Sequence, residues 1–480
     1  MLEKALLYGG WPGFVLLLAG NCAGAGAWLF YVVTKRYRRA LYVTFMAFPF
    51  TFYAGRAAGL RAFDIPDFDQ RVGLSTFMII ALFFMTLLQG RIHRPMRGLP
   101  RWIERFVWFY VLTLTVGQFF THDAWSAALL SVGAGWEFLC LFYLLVSLIR
   151  RDGHVIALVN SLFVFSILNI LVRVVAKGES LVILPSSPLA GTAGTFGAEA
   201  GRVGSGALGP GVSYAGYLSI FITLALGMYF ITRGWVYFVY AVLMFVEMLN
   251  TFTRGGLFVL GLLACLVLFK PTRVISLKVL SVAIAVVAVA WPALKEYVTV
   301  RGFSLNVMQV NNFQLRVELT RMFFHAYEFS WWGHGILQQS VFELTPWLIV
   351  PIHNAYLEIL DTCGILPFIA FSVLTLLMIW CGIRASRSRV RQARHLFSAR
   401  FAPFVLVALL QWVLFANTTA TSVLAYYPYE GTAVFWVIGL LPLSFLAAIR
   451  HARLAASPAV LRAVRSRPVP VGPPSPVQVS

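Results

Sequence analysis

What most limits this chain is a series of apolar blocks, 18 or more residues long, separated by short linkers rich in lysine and arginine. At 1.5 Å rise per residue, a helical block of that length crosses about 30 Å of hydrocarbon with its backbone hydrogen bonds satisfied internally. Composition closes the soluble alternative. Of 480 residues, 60% are hydrophobic and 12% charged, and the mean hydropathy is +0.80. A soluble domain is about 25% charged, and no water-soluble fold of this size hides so much apolar surface. The sequence predicts an all-α polytopic transmembrane bundle.

Hydrophobic runs place spans near 11–33, 41–60, 72–90, 106–120, 127–149, 155–176, 211–231, 235–250, 255–269, 279–293, 364–383, 402–418 and 432–449, so 12 or 13 crossings. Residues 5–33 are too long for a signal peptide and end in Lys35-Arg36-Tyr37-Arg38-Arg39, so the first block reads as a retained span. Its Gly9-Gly10-Trp11-Pro12 start leaves open a hairpin or re-entrant beginning and an even count. Alternate linkers hold 26 of the 38 lysines and arginines, with only Glu104 and Asp152 in acid. By the positive-inside rule these linkers are cytoplasmic, and 61–71, 121–126, 177–210, 251–254, 294–363 and 419–431 lie outside. The net charge of +20 is thus a topology signal, and no nucleic-acid partner is expected.

The chain divides into an N-terminal bundle (1–293, with the outer loop 177–210), a large outer loop (294–363), C-terminal spans (364–449) and a basic, proline-rich tail (450–480) expected to be disordered. Within the large loop Leu315, Leu319, Met322 and Ala326 recur at helical spacing. They predict an amphipathic helix over about 313–329, with Asn312 as N-cap.

Candidate chemistry gathers at the outer ends of the spans. Arg56, Arg173, Arg202, Arg254 and Arg316 all fall there or on the outer helix. An intramembrane arginine costs roughly 2.5–3.5 kcal/mol on insertion scales. Snorkelling to headgroups is one reason to keep them; a shared anionic substrate is another, because a guanidinium stays charged and binds phosphate oxygens bidentately. Arg254, in Asn250-Thr-Phe-Thr-Arg254-Gly-Gly256, is the strongest ligand candidate: glycines allow close backbone approach, and the next helix start offers unpaired N–H groups. Of the outer histidines His122, His325, His334 and His353, the last stands where the large loop returns to the membrane. Its imidazole can take a proton near pH 7 or serve structure alone. Asn354 beside it can orient the ring or hold a sugar hydroxyl. Asp64, Asp67 and Asp69 form an acidic loop that reads as a metal site or, more plainly, as a solvated turn. Glu137 and Glu247 fall within spans, as helix-packing contacts or functional groups. The five cysteines lack metal-ligand spacing, and no P-loop or dinucleotide fingerprint occurs, so no cofactor or metal is expected.

His353-Asn354, nine residues, then Gly364-Ile-Leu-Pro367 resembles the motif that closes the large outer loop in the bacterial O-antigen ligase/polymerase family. Three further segments match in order: Gly201-Arg202-Val-Gly-Ser-Gly-Ala-Leu-Gly-Pro210, Thr253-Arg254-Gly255-Gly256, and Arg316-Val-Glu-Leu-Thr-Arg321 with Ala326 and Gly333-His-Gly335. Together they cover about 195–370. Pro367 and Pro210-Gly211 depart from the family's usual residues. The resemblance implies a metal-independent membrane glycosyltransferase of the bacterial inner membrane, active at its periplasmic face. Its substrates would be an undecaprenyl-diphosphate-linked glycan and, as acceptor, lipid A–core (ligase) or a second lipid-linked repeat (polymerase of O-antigen or exopolysaccharide). Arg202, Arg254, Arg316 and Asn354 would bind diphosphate and sugar, and His353 would take the acceptor's proton. A transporter of lipid-linked sugars is the rival of another class, but it predicts polar lining through the full bilayer depth.

Overall fold

A computed structural model describes residues 10–57, 74–92, 99–177, 211–250, 311–335, 354–387, 396–416 and 431–455. These residues form helices and their connections, with no strand among them. The helices are α1 (Gly10–Val33), α2 (Tyr37–Ala57), α3 (Leu74–Leu88), α4 (Arg101–Thr121), α5 (Ala124–Ser131), α6 (Glu137–Leu148), α7 (Asp152–Lys177), α8 (Gly211–Thr232), α9 (Trp235–Asn250), α10 (Asn311–Ala326), α11 (Ala355–Cys363), α12 (Ile365–Ser386), α13 (Leu396–Ala416) and α14 (Gly431–Ala455). The protein is an all-α polytopic membrane protein. Among the described residues five helices are long and apolar enough to cross a membrane, within α1, α7, α8, α12 and α13, and shorter apolar helices lie within α3, α6, α9 and α14. The spans expected at 255–269 and 279–293, residues 178–210 of the outer loop and the tail from 456 lie outside the described residues, while 450–455, expected as the start of the tail, continue α14.

Apolar sequence on all sides makes most of these helices bury one face and leave another to lipid. On α4 the exposed Phe109, Leu112, Val116 and Phe119 follow helical spacing, while Val107, Tyr110, Val111 and Leu114 are buried. The centre is aromatic: Tyr110, Phe138, Phe371 and Trp436 meet edge-on or tilted where α4, α6, α12 and α14 converge. Small residues bring other helices close, with Gly216 facing Phe415 and Gly227 facing Phe404 across α8 and α13.

Three hydrogen bonds pair polar side chains of different helices inside the bundle. The Thr223 hydroxyl donates to Gln411 Oε1 (2.8 Å), the Tyr214 hydroxyl to Glu247 Oε1 (3.0 Å), and the Tyr237 hydroxyl to Asn160 Oδ1 (3.1 Å). In a medium without water such pairs act as interhelical glue, about 0.6–2 kcal/mol each. Glu247 thereby has the helix-packing role that was one of its two sequence readings.

The expected span 127–149 is not one regular helix. A π-turn at Val132–Trp136 separates α5 from α6, setting the buried Glu137 at the start of α6. The Asp123 carboxylate caps α5, accepting from the Trp125 and Ser126 amides at 3.0 Å each.

The described parts of four basic linkers, near 35, 91, 151 and 397, meet at one end of the bundle. Arg91 donates to the Lys35 carbonyl (3.3 Å) and the Tyr42 hydroxyl to the His154 carbonyl (3.2 Å). Asp152 at the start of α7 accepts from the Phe397 amide (2.8 Å), the Ser398 amide (3.0 Å) and the Ser398 hydroxyl (2.5 Å). A carboxylate from one helix therefore satisfies the orphan N–H groups at the start of another. The end opposite carries the C-terminus of α4, the segment 327–335 and α11.

Candidate functional site

α11 is a nine-residue helix with both ends built by the motif noted in the sequence. Asn354 is its N-cap: Oδ1 accepts from the Tyr356 amide (3.0 Å) and the Leu357 amide (3.3 Å). A side-chain acceptor there satisfies N–H groups that no preceding turn can reach. The sequence reading gave Asn354 to a ring or a sugar; the structure adds that its carbonyl oxygen starts the helix. At the other end Gly364 takes φ 88° and ψ −179°, a region open essentially to glycine alone. A β-carbon at Gly364 would also run into the Trp331 carbonyl and the Gly333 amide.

That close approach lets residues 330–335 lie across the end of α11. The His334 amide donates to the Asp361 carbonyl (2.8 Å), the Gly335 amide to the Thr362 carbonyl (3.1 Å), and the Ile365 amide to the Ser330 carbonyl (3.1 Å). The last carbonyls of a helix lack intrahelical donors, and here the loop supplies them. Gly333, at φ 79°, faces the Thr362–Cys363 peptide so closely that a β-carbon would overlap it. The Gly-His-Gly of the sequence pattern is thus a close-packed crossing.

α4 closes the junction from the side. Gln118 Nε2 donates to Cys363 Sγ (3.0 Å), the β-position of Gly117 lies 3.2 Å from the Cys363 carbonyl, and Phe120 stacks on Trp332. α10 docks on α11 through Leu319 and Phe323, both buried, with Tyr327, Leu357 and Leu360 packed against them. The expected amphipathic helix is present as Asn311–Ala326. Its buried contacts include Phe323, while Met322 and Ala326 are half-buried. Asn312 lies inside the helix, so the expected N-cap role for it is incorrect: the helical turn already includes Asn311.

Three charged or titratable side chains meet here. His334 Nδ1 lies 3.2 Å from Asp361 Oδ1, with the histidine side chain 25% exposed and the aspartate 0%. Glu358, one turn earlier on the same face of α11, is buried, and its Oε1 has no hydrogen-bond partner. Burial first, and the neighbouring Asp361 second, push its carboxyl well above the usual carboxylate range. Burial raises the Cys363 thiol to about 12, so it is an inert core thiol. His122, beside Gly335, is held below its ordinary value by burial, with Asp123 acting against that.

The structure puts Asn354 at this junction and Arg316 in α10, the helix that docks on α11. Arg202, Arg254, His353 and the Asp64/Asp67/Asp69 loop lie outside the described residues, while Arg56 and Arg173 fall in the final turns of α2 and α7, at the end away from the basic linkers. Among the described residues no group of three or more His, Cys, Asp or Glu is placed to hold a metal ion. The His334–Asp361 pair was not visible in the sequence, because 27 residues separate its members; the glycines flanking His334 were the available signal.

Comparison of the whole chain with curated proteins gives no match. Residues 239–372 match the family model described as O-antigen ligase. The matched stretch begins in α9, takes in α10, the 330–335 crossing and α11 with its cap and glycine stop, and ends in α12. Over that segment the chain is similar to the O-antigen ligase family.

Proposed function

We propose that the protein moves a glycan from undecaprenyl diphosphate onto a sugar hydroxyl at the periplasmic face of the bacterial inner membrane, with lipid A–core as acceptor. The observation that carries the reading is the coincidence of the O-antigen ligase match with the α10–α11 junction, at the end of the bundle away from the basic linkers. In this reading the bundle 1–293 supplies Arg202 and Arg254, and the large loop 294–363 supplies Arg316 and His353.

In this reading the acceptor oxygen attacks the anomeric carbon, the bond from that carbon to the diphosphate breaks, and undecaprenyl diphosphate departs with the electron pair. Inversion follows from attack opposite the leaving group. Arg202, Arg254 and Arg316 hold the diphosphate and stabilise its growing charge, since fixed cations in a dry site act most strongly where charge develops. His353 accepts the proton of the attacking hydroxyl. Asn354 fixes the start of α11, the helix to which His353 is joined.

A deletion strain complemented with wild type or His353→Ala tests this, read on a lipopolysaccharide gel. Bare lipid A–core with accumulated lipid-linked polymer in the deletion and in His353→Ala is the expected result. Core capped by a single repeat would instead make the protein a polymerase. An unchanged ladder would remove the lipopolysaccharide reading, and a fully active His353→Ala protein would remove the proton-acceptor role.

A further inference from the structure

We infer that His334, held by the buried Asp361, forms a sugar-binding subsite next to the transfer site, contacting a residue of the glycan adjacent to the one that reacts. The inference rests on the proposed transfer reading for the identity of the glycan.

The pair is not needed to hold the loop. Three backbone bonds already fasten 330–335 to the end of α11 and the start of α12, and the glycine contacts fix the crossing. Yet the chain keeps a fully buried carboxylate there, a costly group to take out of water, turned to an imidazole that remains 25% exposed. An ionised carboxylate only accepts hydrogen bonds, so it places the ring hydrogen on Nδ1 and leaves Nε2 as an acceptor of fixed orientation. Tyr327 sets its ring edge-on against the imidazole, and the exposed Phe329 and Trp331 lie on the same loop.

The donor set selects the ligand. Sugar hydroxyls, which donate hydrogen bonds and carry apolar C–H faces, suit an oriented acceptor beside aromatic rings. Distance selects the position. Asn354 and Asp361 are seven residues apart on one helix, about 10 Å along its axis. His334, beside Asp361, thus stands about two helical turns from the Asn354 end, a separation that suits a neighbouring sugar of the same chain.

The test uses the full-length protein in detergent with lipid-linked donors and acceptors, each prepared with one repeat unit and with several. His334→Gln is expected to raise KM about threefold to tenfold, the size of one lost hydrogen bond, for the long form of whichever substrate fills the subsite. The short form and kcat should be unchanged. Asp361→Asn, which keeps an acceptor on Nδ1, should show a smaller rise of the same length dependence. Equal losses on short and long substrates, a fall in kcat alone, or no change would overturn the subsite. Binding of the mild-acid-released glycan, size-fractionated, is measured alongside without turnover. If wild type binds long glycan more tightly than His334→Gln does but transfers nothing, the transfer reading fails and the subsite stands.

Discussion

Replacing Gly364 by alanine tests whether the glycine that ends the motif is mechanical. At φ 88° and ψ −179° any residue with a β-carbon is strained by about 1–3 kcal/mol. The added carbon also meets the Trp331 carbonyl and the Gly333 amide at distances no β-carbon tolerates, so the 330–335 crossing must lift. Lifting it removes the bonds made by the His334, Gly335 and Ile365 amides, about 0.5–1.5 kcal/mol net each. The sum is about 3–7 kcal/mol, a large share of the roughly 5–15 kcal/mol that holds a typical protein folded. The assay is thermal melting of the purified protein in detergent, with Gly26→Ala as control. Gly26 lies in α1 with open space at its β-position, so alanine there is expected to be neutral or to stabilise by about 0.5–1 kcal/mol. Gly364→Ala should yield little folded protein or a much lower melting temperature. A Gly364→Ala protein that melts with the wild type would refute both the strain argument and the packed crossing.

Asp152→Ala should lower the melting temperature by the equivalent of about 1–3 kcal/mol, since it strips a charged acceptor from three donors at the start of α13; Asp152→Asn should retain part of that. Burial holds the Glu358 carboxyl well above its ordinary 4.5 in the folded protein, so its stability contribution is present below 4.5 and lost as pH rises toward the folded value. Glu358→Gln should therefore leave the melting temperature near wild type in acid and raise it at neutral and alkaline pH; a parallel shift at every pH would count against the buried neutral acid. His122 has the opposite sense: its folded value is depressed below 6.5, so stability is present above 6.5 and lost as pH falls through that range. His122→Gln should flatten the melting profile on the acid side of pH 6.5.

The spans were legible because hydrocarbon demands long apolar runs and because lysine and arginine mark one end of each. The bounds differ from expectation mainly where polar residues extend a helix beyond the apolar run, as Arg101–Arg105 does for α4 and Leu396–Arg400 for α13. The π-turn was not legible: one inserted residue leaves the hydrophobic count unchanged, and Gly133 and Gly135 hint at it only in retrospect. In α10 the spacing identified the helix but not its full contact face. Phe323 is buried although the pattern pointed to Met322 and Ala326, because α11 rather than the helix's own periodicity decides which residues are covered. At the site, Asn354 was found from its motif, but the helix cap it forms was not foreseen. His334 was one of four outer histidines with nothing local to single it out, since its partner is a distant aspartate that only the folded crossing brings within 3.2 Å.

The spacing of the closing motif now has a physical meaning. The nine residues between Asn354 and Gly364 are one short helix, begun by a side-chain cap and ended by a backbone conformation that a side chain would strain. Each residue of a helix turns about 100° and advances about 1.5 Å, so the count fixes the angle between the two ends as well as their separation. With this count, Glu358 and Asp361 share one face, the carbonyls of Asp361 and Thr362 meet the amides of His334 and Gly335, and Cys363 meets Gln118 of α4. A helix one residue longer would carry Asp361 about a quarter turn away from His334. α12, packed between α4, α13 and α14, has little freedom to follow. The motif therefore reads as a fixed-length spacer between its cap and the loop that crosses its end, which is why the cap, the glycine and the buried Asp361 between them matter as a set.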